Sequence, residues 1–303
     1  MKGRRKIDGV LLLDKPMGLS SSMALQQAKR LLNAEKAGHA GTLDPLATGL
    51  LPLLFGEATK FAQYGLDSDK AYLAGVSLGT TTDTGDAEGQ VLLTRPVAVD
   101  EDRLQAVLAK FRGPIEQVPP MYSALKKEGR PLYELAREGK SVDRPARRVT
   151  IHALELLRRE PGRLDLHVAC SKGTYIRQLA ADLGEALGCG AHVDALRRTG
   201  AGAFTLDGAV TLDALQALPE GERAALLLPA DRLLAGLPRV DLAPAEAQRL
   251  LHGQGVPAPG QPAGPCRVYR AGGELLGVAE VDGAGRLHPV RLRAGAGQES
   301  ASG

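Results

Sequence analysis

The sequence predicts an α+β protein with a large first domain and a small, β-rich second domain. Strand-like alternation and helix-like apolar spacing are interleaved through residues 1–236, as in a domain that mixes both kinds of element. Residues 237–303 hold instead a helix-like stretch, a Pro/Gly-rich linker and three strand-like segments with glycine turns. A chain of 303 residues is long enough to bury a core in each domain.

The first domain is predicted to begin with a short buried strand at "VLLL", residues 10–13, which runs into a turn at "DKPMGLSS". A helix follows from about Ser21 to Leu32, with Ser20 or Ser21 as its cap, because a serine hydroxyl accepts from the free amides at a helix start. The other elements predicted for this domain are a strand at 70–79, a turn at 81–89, a helix at 101–111, a strand at 163–170 and a helix with one apolar face that ends at Gly188.

A polar, basic and turn-rich segment at 119–148 is predicted to leave the core, with one short helix in it. Segments of this length outside the core of a compact domain are more often functional than decorative. The tail from residue 294 is expected to be disordered. The elements predicted for the second domain are a helix at 243–252, a linker at 253–265 and strands at 266–273, 274–281 and 286–292.

Positive charge is concentrated in one part of the chain. Lys and Arg outnumber Asp and Glu by 17 to 11 over residues 110–200, whereas the whole chain has a net charge of +3. A solvated surface explains any single basic pair, but several pairs in one span indicate an anionic partner, with nucleic acid the leading candidate. The pairs are Lys126-Lys127, Arg147-Arg148, Arg158-Arg159 and Arg197-Arg198.

The sequence argues against a membrane or secreted protein. No run of 18 apolar residues is present, and the apolar run after the basic N-terminus is too short for a signal peptide. Three scattered cysteines, Cys170, Cys189 and Cys266, fit a reducing compartment and offer no disulfide framework. We therefore expect a cytoplasmic protein.

Motifs for metals and nucleotide cofactors are also missing from the sequence. Zinc-ligand spacing, a P-loop, a dinucleotide-binding glycine motif and a G-x-S-x-G elbow are all absent. The chemistry is therefore expected to come from ordinary side chains, with no metal and no cofactor.

Asp44 is the first candidate for that chemistry. It is the one acid in "GHAGTLDPLATGLLPLLFG", residues 38–56. Asp-Pro is a good turn starter, so Asp44 has a purely structural interpretation. Alternatively, the flanking glycines would let a substrate backbone approach closely, and Pro45 would stiffen the display of the carboxylate.

Four other candidates likewise have two interpretations each. Arg177 lies near a helix start, against the preference set by the helix dipole, and is either a surface arginine or the partner of a carboxylate that it keeps ionised. Tyr72 is either a core residue or a platform for a base, in a chain with 3% aromatic residues. His39 is either a turn residue or a ring that projects into a substrate groove. The Lys15-Pro16 pair forms either a simple turn or a support beneath the catalytic loop.

Six segments taken in order resemble the TruB family of bacterial tRNA pseudouridine synthases, which make pseudouridine at position 55 in the T-loop. The resemblance covers residues 7–206 and extends more loosely to the second domain, which looks like a PUA domain. The segments are "LLLDKPMGLSS", "AGHAGTLDPLATGLLPLLFGEATKF", "DKAYLAGVSLGTTTDTGDAEG", "PPMYSALKKEGRPLYELAREG", "CSKGTYIRQLAADLGEALG" and "AHVDALRRTGAGAF".

The resemblance implies a role for each candidate. Asp44 is the catalytic aspartate, Arg177 is its ion-pair partner, and Tyr72 packs on the target base. Leu196 lines the uracil pocket and His39 meets the flipped-out nucleotide. The remaining substrate-site residues that we assign are Lys15 and Pro16 as buttresses, Gly41 and Tyr175.

The resemblance also implies a mixed, largely antiparallel sheet with flanking helices, and a 119–148 segment that closes over tRNA. Its reaction breaks the C1′–N1 bond of uridine, turns the base and rejoins it through C5, which requires no cofactor. Asp44 would act at the ribose by attacking C1′ or by removing a 2′ proton, and Tyr72 could relay the C5 proton. A monomer that binds the tRNA T-arm is expected. The alternatives are an enzyme that acts on another tRNA site or on a different structured RNA, or an RNA-folding or assembly factor without catalysis.

Overall fold

The computed structural model describes residues 3–294 apart from residues 124, 128 and 141. All of the tail predicted to be disordered, apart from Ala294, therefore lies outside the described residues. The strands of the first part of the chain are β1 (Gly9–Lys15), β2 (Ala37–His39), β3 (Thr48–Phe55), β4 (Lys70–Leu78), β5 (Thr80–Thr82), β6 (Val91–Thr94), β7 (Gly113–Gln117), β8 (Lys126–Lys127), β9 (Arg130–Pro131), β10 (Arg147–Glu160), β11 (Arg163–Cys170), β12 (Ala191–Ala201) and β13 (Phe204–Thr205).

A single large sheet organises this part of the molecule. Its strands follow the order β1-β3-β12-β4-β11-β10-β7, with β2 attached to β3 and β13 attached to β12. Neighbouring strands are antiparallel except β12 and β3, which run parallel. The predicted fold class, a mixed and largely antiparallel sheet with flanking helices, is confirmed.

Strand β1 is buried on both faces because its run of apolar residues supplies two cores at once. Leu11 and Leu13 contribute to one core, and Val10 and Leu12 contribute to another on the opposite face. Side chains alternate between the faces of a strand, so a continuous apolar run is typical of a strand covered on both sides. The outer edge of β1 is covered too, since Val10 exchanges two backbone hydrogen bonds with Leu228, both 2.8 Å long.

The helices pack around this sheet, and their ends follow local sequence signals. Helix α1 is capped by Ser20, whose hydroxyl accepts from the Met23 amide, and α5 ends at Gly188 with φ +86°, a conformation that favours glycine. The one short helix predicted within 119–148 is α4. The α-helices are α1 (Ser21–Leu31), α2 (Ala62–Leu66), α3 (Glu101–Lys110), α4 (Leu132–Arg137), α5 (Ile176–Leu187), α6 (Leu212–Ala217) and α7 (Pro244–Leu251), and 3₁₀ helices cover Gly56–Phe61, Arg223–Leu226 and Ala230–Leu234.

The C-terminal part is a separate five-stranded sheet with its own apolar core. The predicted linker at 253–265 is wrong in part, because a short strand and the start of another lie in it. The order in this sheet is β14-β16-β17-β18-β15, with β14 and β16 parallel and the other neighbours antiparallel. Its strands are β14 (Arg239–Leu242), β15 (Val256–Pro257), β16 (Gly264–Arg270), β17 (Glu274–Val281) and β18 (Arg286–Leu292).

The C-terminal sheet packs against the first part through an apolar core that both share. Tyr269 and Leu275 of the C-terminal sheet join the same buried cluster as Leu50 and Phe61. The Tyr269 hydroxyl donates to a carboxylate oxygen of Asp231 at 2.8 Å. Among the described residues, no helix is long and apolar enough to cross a membrane.

Candidate active site

The Asp44 loop joins β2 to β3 and is tied to the start of α1. The Leu43 amide donates to the buried Ser21 hydroxyl at 2.7 Å, and that hydroxyl donates in turn to the Leu43 carbonyl at 3.0 Å. On the other side of Asp44, the Pro45 carbonyl accepts from the Gly18 amide at 2.8 Å. The residues on both sides of the acid are therefore fixed, so the turn presents Asp44 in one position.

Lys15 supports the same loop from beneath. Its side chain is fully buried, and its ammonium donates to the carbonyls of Pro16 at 2.9 Å, Leu19 at 2.6 Å and Pro45 at 3.4 Å. Burial lowers the pKa of Lys15 to about 8, and the negative charge of Asp44 partly offsets that fall. Lys15 thus contacts the Asp44 loop through the Pro45 carbonyl, and Pro16 contributes a carbonyl to the same ammonium.

Arg177 binds Asp44 directly. Its Nε lies 2.9 Å from Oδ2 of Asp44, and the two side chains are 8% and 40% exposed. Its two terminal nitrogens donate to the carbonyls of Thr84 and Tyr122, both at 2.6 Å. The guanidinium is thus held on three sides, and it presents a fixed positive charge to a carboxylate that remains open to solvent on its other side.

Asp86 is a member of this site that the sequence reasoning missed. It is buried, with Oδ2 3.6 Å from Nε of Arg177. Its other carboxylate oxygen accepts from the Thr84 hydroxyl at 2.5 Å and from the Glu88 amide at 3.2 Å. Three acids stand in "TTDTGDAEG", and nothing in that turn-like composition distinguishes the one that faces inward.

Tyr72 lies on the floor of the site. It belongs to β4, between Val168 of β11 and Arg198 of β12, and its side chain is almost completely buried. Burial raises the pKa of the Tyr72 phenol, and the positive charge of Arg198 opposes that rise. Leu196 is on β12, two residues before Arg198, and is buried in the same core as Tyr72.

Three predicted substrate residues lie around this centre. Burial lowers the pKa of His39, and a hydrogen bond with the Gly41 backbone partly offsets that fall, so the neutral ring is favoured at pH 7. Gly41 has φ +111°, which favours glycine. Tyr175 immediately precedes α5, and its backbone amide donates to Oε1 of Gln117 at 3.1 Å. Burial raises the pKa of the Tyr175 phenol.

The structure thus brings Asp44 and Arg177 into contact, with Lys15 below them. The negative charge of Asp44 also raises the pKa values of the Tyr72 and Tyr175 phenols and so favours their neutral forms. Among residues 3–294, leaving out the three that are not described, no group of three or more His, Cys, Asp or Glu side chains is placed to hold a metal ion.

One predicted basic pair is not a surface for an anionic partner. Arg198 is 1% exposed, because its side chain points into the core beneath the Asp44 loop. Arg197 points to the other face of β12 and binds Asp14 at 2.7 Å. The pairs Arg147-Arg148 and Arg158-Arg159, by contrast, are exposed.

Comparison with known families gives three matches along the chain. Residues 29–176 match the TruB family pseudouridylate synthase N-terminal domain, and residues 177–235 match the tRNA pseudouridylate synthase B C-terminal domain. Residues 238–292 match the pseudouridine synthase II TruB C-terminal domain.

Curated relatives match over almost the whole chain. A tRNA pseudouridine synthase B from Azoarcus sp. (strain BH72) is 58% identical over 289 residues, covering 95% of this chain and 96% of the relative. Another from Ralstonia nicotianae is 60% identical over 299 residues and covers 95% of each chain.

Solved structures show the same fold. A chain from the archaeal box H/ACA sRNP Nop10-Cbf5 complex has a TM-score of 0.71 at 26% identity, covering 94% of this chain and 85% of that one. A chain from a Cbf5-Nop10-Gar1 complex has a TM-score of 0.70 at 29% identity, with 90% and 78% covered. On the matches of sequence and structure together, the chain belongs to the TruB family of pseudouridylate synthases.

Proposed function

We propose that this protein converts uridine to pseudouridine at position 55 in the T-loop of tRNA, with Asp44 as the catalytic aspartate. The observation that carries the proposal is the pair formed by the open Asp44 carboxylate and the buried Arg177 guanidinium, 2.9 Å apart. The relatives named tRNA pseudouridine synthase B support tRNA as the substrate.

Asp44 acts at the ribose of the target nucleotide. The C1′–N1 bond of uridine breaks, the base turns, a C1′–C5 bond forms, and the proton lost from C5 balances the one gained at N1. Asp44 has two chemically complete routes, attack on C1′ or removal of a 2′ proton to give a glycal. Both routes need an ionised carboxylate, and the positive charge of Arg177 stabilises that form.

Tyr72 forms the platform for the flipped base. Taking a base out of its stack costs a few kcal/mol, and stacking on an aromatic ring recovers about 1–3 kcal/mol. Its hydroxyl is held neutral by burial, so it can relay the proton that leaves C5. Leu196 lines the uracil pocket beside it, and the neutral His39 ring contacts the nucleotide that leaves the T-loop.

The wider RNA surface includes the 119–148 segment, which closes over the T-arm. The exposed pairs Arg147-Arg148 and Arg158-Arg159 supply cations for backbone phosphates. The protein acts as a monomer in the cytoplasm, with residues 1–236 as the catalytic domain and residues 237–303 as a PUA-like RNA-binding domain.

The proposal is tested by incubating the purified protein with a T-arm stem-loop and locating pseudouridine by chemical labelling. We expect product at the position equivalent to 55 in the wild type, and none with Asp44→Asn, whose affinity for the RNA changes by less than about threefold. Asp165→Asn is the matched control, because Asp165 binds Arg163 at the far end of β11. Binding without product in the wild type would refute the enzymatic proposal, and activity in Asp44→Asn would refute the role of Asp44.

A further inference from the structure

Arg198 is a buried charged residue that the mechanism above does not use. It is among the largest fully buried side chains in the protein. No carboxylate among the described residues forms an ion pair with it, although a buried charge is usually paired. The groups whose pKa values its charge lowers are those of Lys15, His39, Lys70 and Tyr72, which face it from β1, β2 and β4.

Its guanidinium holds the backbone on both sides of Asp44. Nη1 donates to the Thr42 carbonyl at 3.3 Å, and Nε donates to the Leu50 carbonyl at 2.7 Å. Thr42 precedes the acid by two residues, and Leu50 lies in the strand that follows it. One planar group therefore sets the separation of the two ends of the segment that carries the carboxylate.

The backbone that follows Asp44 lies close to the backbone of β12 at Arg198. A Cβ atom at Gly49 would lie 2.3 Å from the Arg198 carbonyl oxygen, and one at Gly41 would lie 3.4 Å from Nη1. Both glycines have positive φ, +95° and +111°. A side chain at Gly49 would push the segment that follows Asp44 away from the backbone of β12, and with it the Leu50 carbonyl that accepts from Arg198.

The same guanidinium faces Tyr72. Arg198 and Tyr72 are partners across β12 and β4, and the charge of Arg198 counteracts the effect of burial on the phenol. A side-chain hydrogen bond with Arg198 also lowers the pKa of the Tyr72 phenol, so the two side chains interact directly beneath the site.

We propose that Arg198 is a positioning residue for pseudouridine formation: it holds the Asp44 segment and the Tyr72 phenol in register, so that the acid and the aromatic platform meet the same nucleotide. This inference rests on the proposed function of Asp44 and Tyr72. A residue that served packing alone would change stability without a selective effect on turnover.

The test compares Arg198→Lys and Arg198→Met with the wild type, by kcat and by affinity for the T-arm stem-loop. Arg198→Lys keeps the charge but loses the fork that joins Thr42 to Leu50. We expect kcat to fall about 100-fold with affinity within about threefold, because displacing a reacting group by about 1 Å has that effect on rate. Arg163→Met is the control: Arg163 binds Asp194 by two hydrogen bonds in the same sheet and has no contact with the Asp44 segment.

A double-mutant cycle with Tyr72→Phe separates positioning from a general loss of stability. If Arg198 acts through the phenol, the fold loss in kcat of the double variant is smaller than the product of the losses of Arg198→Lys and Tyr72→Phe. Independent effects would give a double variant whose loss equals that product. Where Arg198→Met does not fold, Arg198→Lys carries the test.

The inference would be overturned by an unchanged kcat in Arg198→Lys, or by a double variant whose loss equals the product of the two single losses. As long as the wild type is active, the proposed function of the protein is not affected by that result. An inactive wild type would overturn both.

Discussion

Replacing Ser21 by alanine tests whether the anchor of the Asp44 loop controls catalysis. The Ser21 hydroxyl is buried, accepts from the Leu43 amide at 2.7 Å and donates to the Leu43 carbonyl at 3.0 Å. Ser21→Ala leaves the amide and the carbonyl of Leu43, the residue before Asp44, without these hydrogen bonds. Each unpaired buried group costs about 1–3 kcal/mol, so we expect the free energy of unfolding to fall by about 2–6 kcal/mol unless the loop moves.

The neighbouring serine provides a matched control. Ser20 caps α1 by accepting from the Met23 amide at 3.2 Å, and it has no bond to the Asp44 loop. Losing such a cap costs about 1 kcal/mol, so Ser20→Ala is destabilised too. The two variants therefore differ by one hydroxyl position and by whether the residue before Asp44 loses its anchor.

Turnover on the T-arm stem-loop distinguishes the two variants. If the loop moves in Ser21→Ala, the Leu43 amide and carbonyl can find new partners, but Asp44 is displaced. A displacement of about 1 Å lowers the rate about 100-fold. We expect Ser21→Ala to lose at least about tenfold in kcat with unchanged RNA affinity, and Ser20→Ala to keep wild-type kcat once both are assayed below their unfolding transitions. Equal kcat in the two variants would refute the argument that Ser21 holds the acid in place.

Three further predictions concern Arg177, the lysines Lys15 and Lys70, and Tyr269. Arg177→Lys keeps a charge beside Asp44 but cannot also hold the Thr84 and Tyr122 carbonyls, so kcat should fall by about 100-fold or more; wild-type turnover in that variant would contradict the role of the fork. The pKa values of Lys15 and Lys70 are about 8 in the folded protein, whereas the ordinary value for lysine is 10.5. Between pH 8 and pH 10.5 the unfolded chain therefore binds more protons than the folded protein, so the contribution of these lysines to the free energy of unfolding rises with pH in that range. Denaturant unfolding at pH 8 and pH 10 should show a larger gain for the wild type than for Lys15→Met, and parallel changes would count against the lowered pKa. Tyr269→Phe removes the hydroxyl that donates to Asp231 and should cost about 1 kcal/mol in unfolding free energy with kcat unchanged; a large loss of turnover would show that the contact between the two parts acts on the site.

Local sequence patterns predicted the elements whose periodicity is regular. β11 spans Arg163–Cys170 as predicted from its strict alternation, and α5 ends where Gly188 was predicted to cap it. β10 and β12 were not predicted. Bulges interrupt the pairing at two places in β12 and at two places in β10, so apolar residues there do not recur at every second position.

The candidate site was predictable only where a residue type was unusual in its setting. Asp44 stands alone in an apolar, glycine-rich segment, and Arg177 lies against the helix dipole, so each was identifiable before the structure placed them 2.9 Å apart. Asp86 and Arg198 stand among other acids and arginines, and their burial depends on strands that are distant in sequence. Only the fold distinguishes Asp86 from Asp83, or Arg198 from the exposed arginines of β10.

The apolar core that joins the two parts of the molecule limits how an RNA can be held. Leu50, whose carbonyl binds Arg198, and Tyr269 of the C-terminal sheet belong to one buried cluster. Domains linked by a flexible tether move independently, whereas domains that share a well-packed apolar core keep their spacing. The C-terminal sheet and the Asp44 loop are therefore held at a fixed spacing. If the protein acts on tRNA as proposed, an RNA that contacts both must match that spacing, so the shape of the RNA contributes to the choice of uridine.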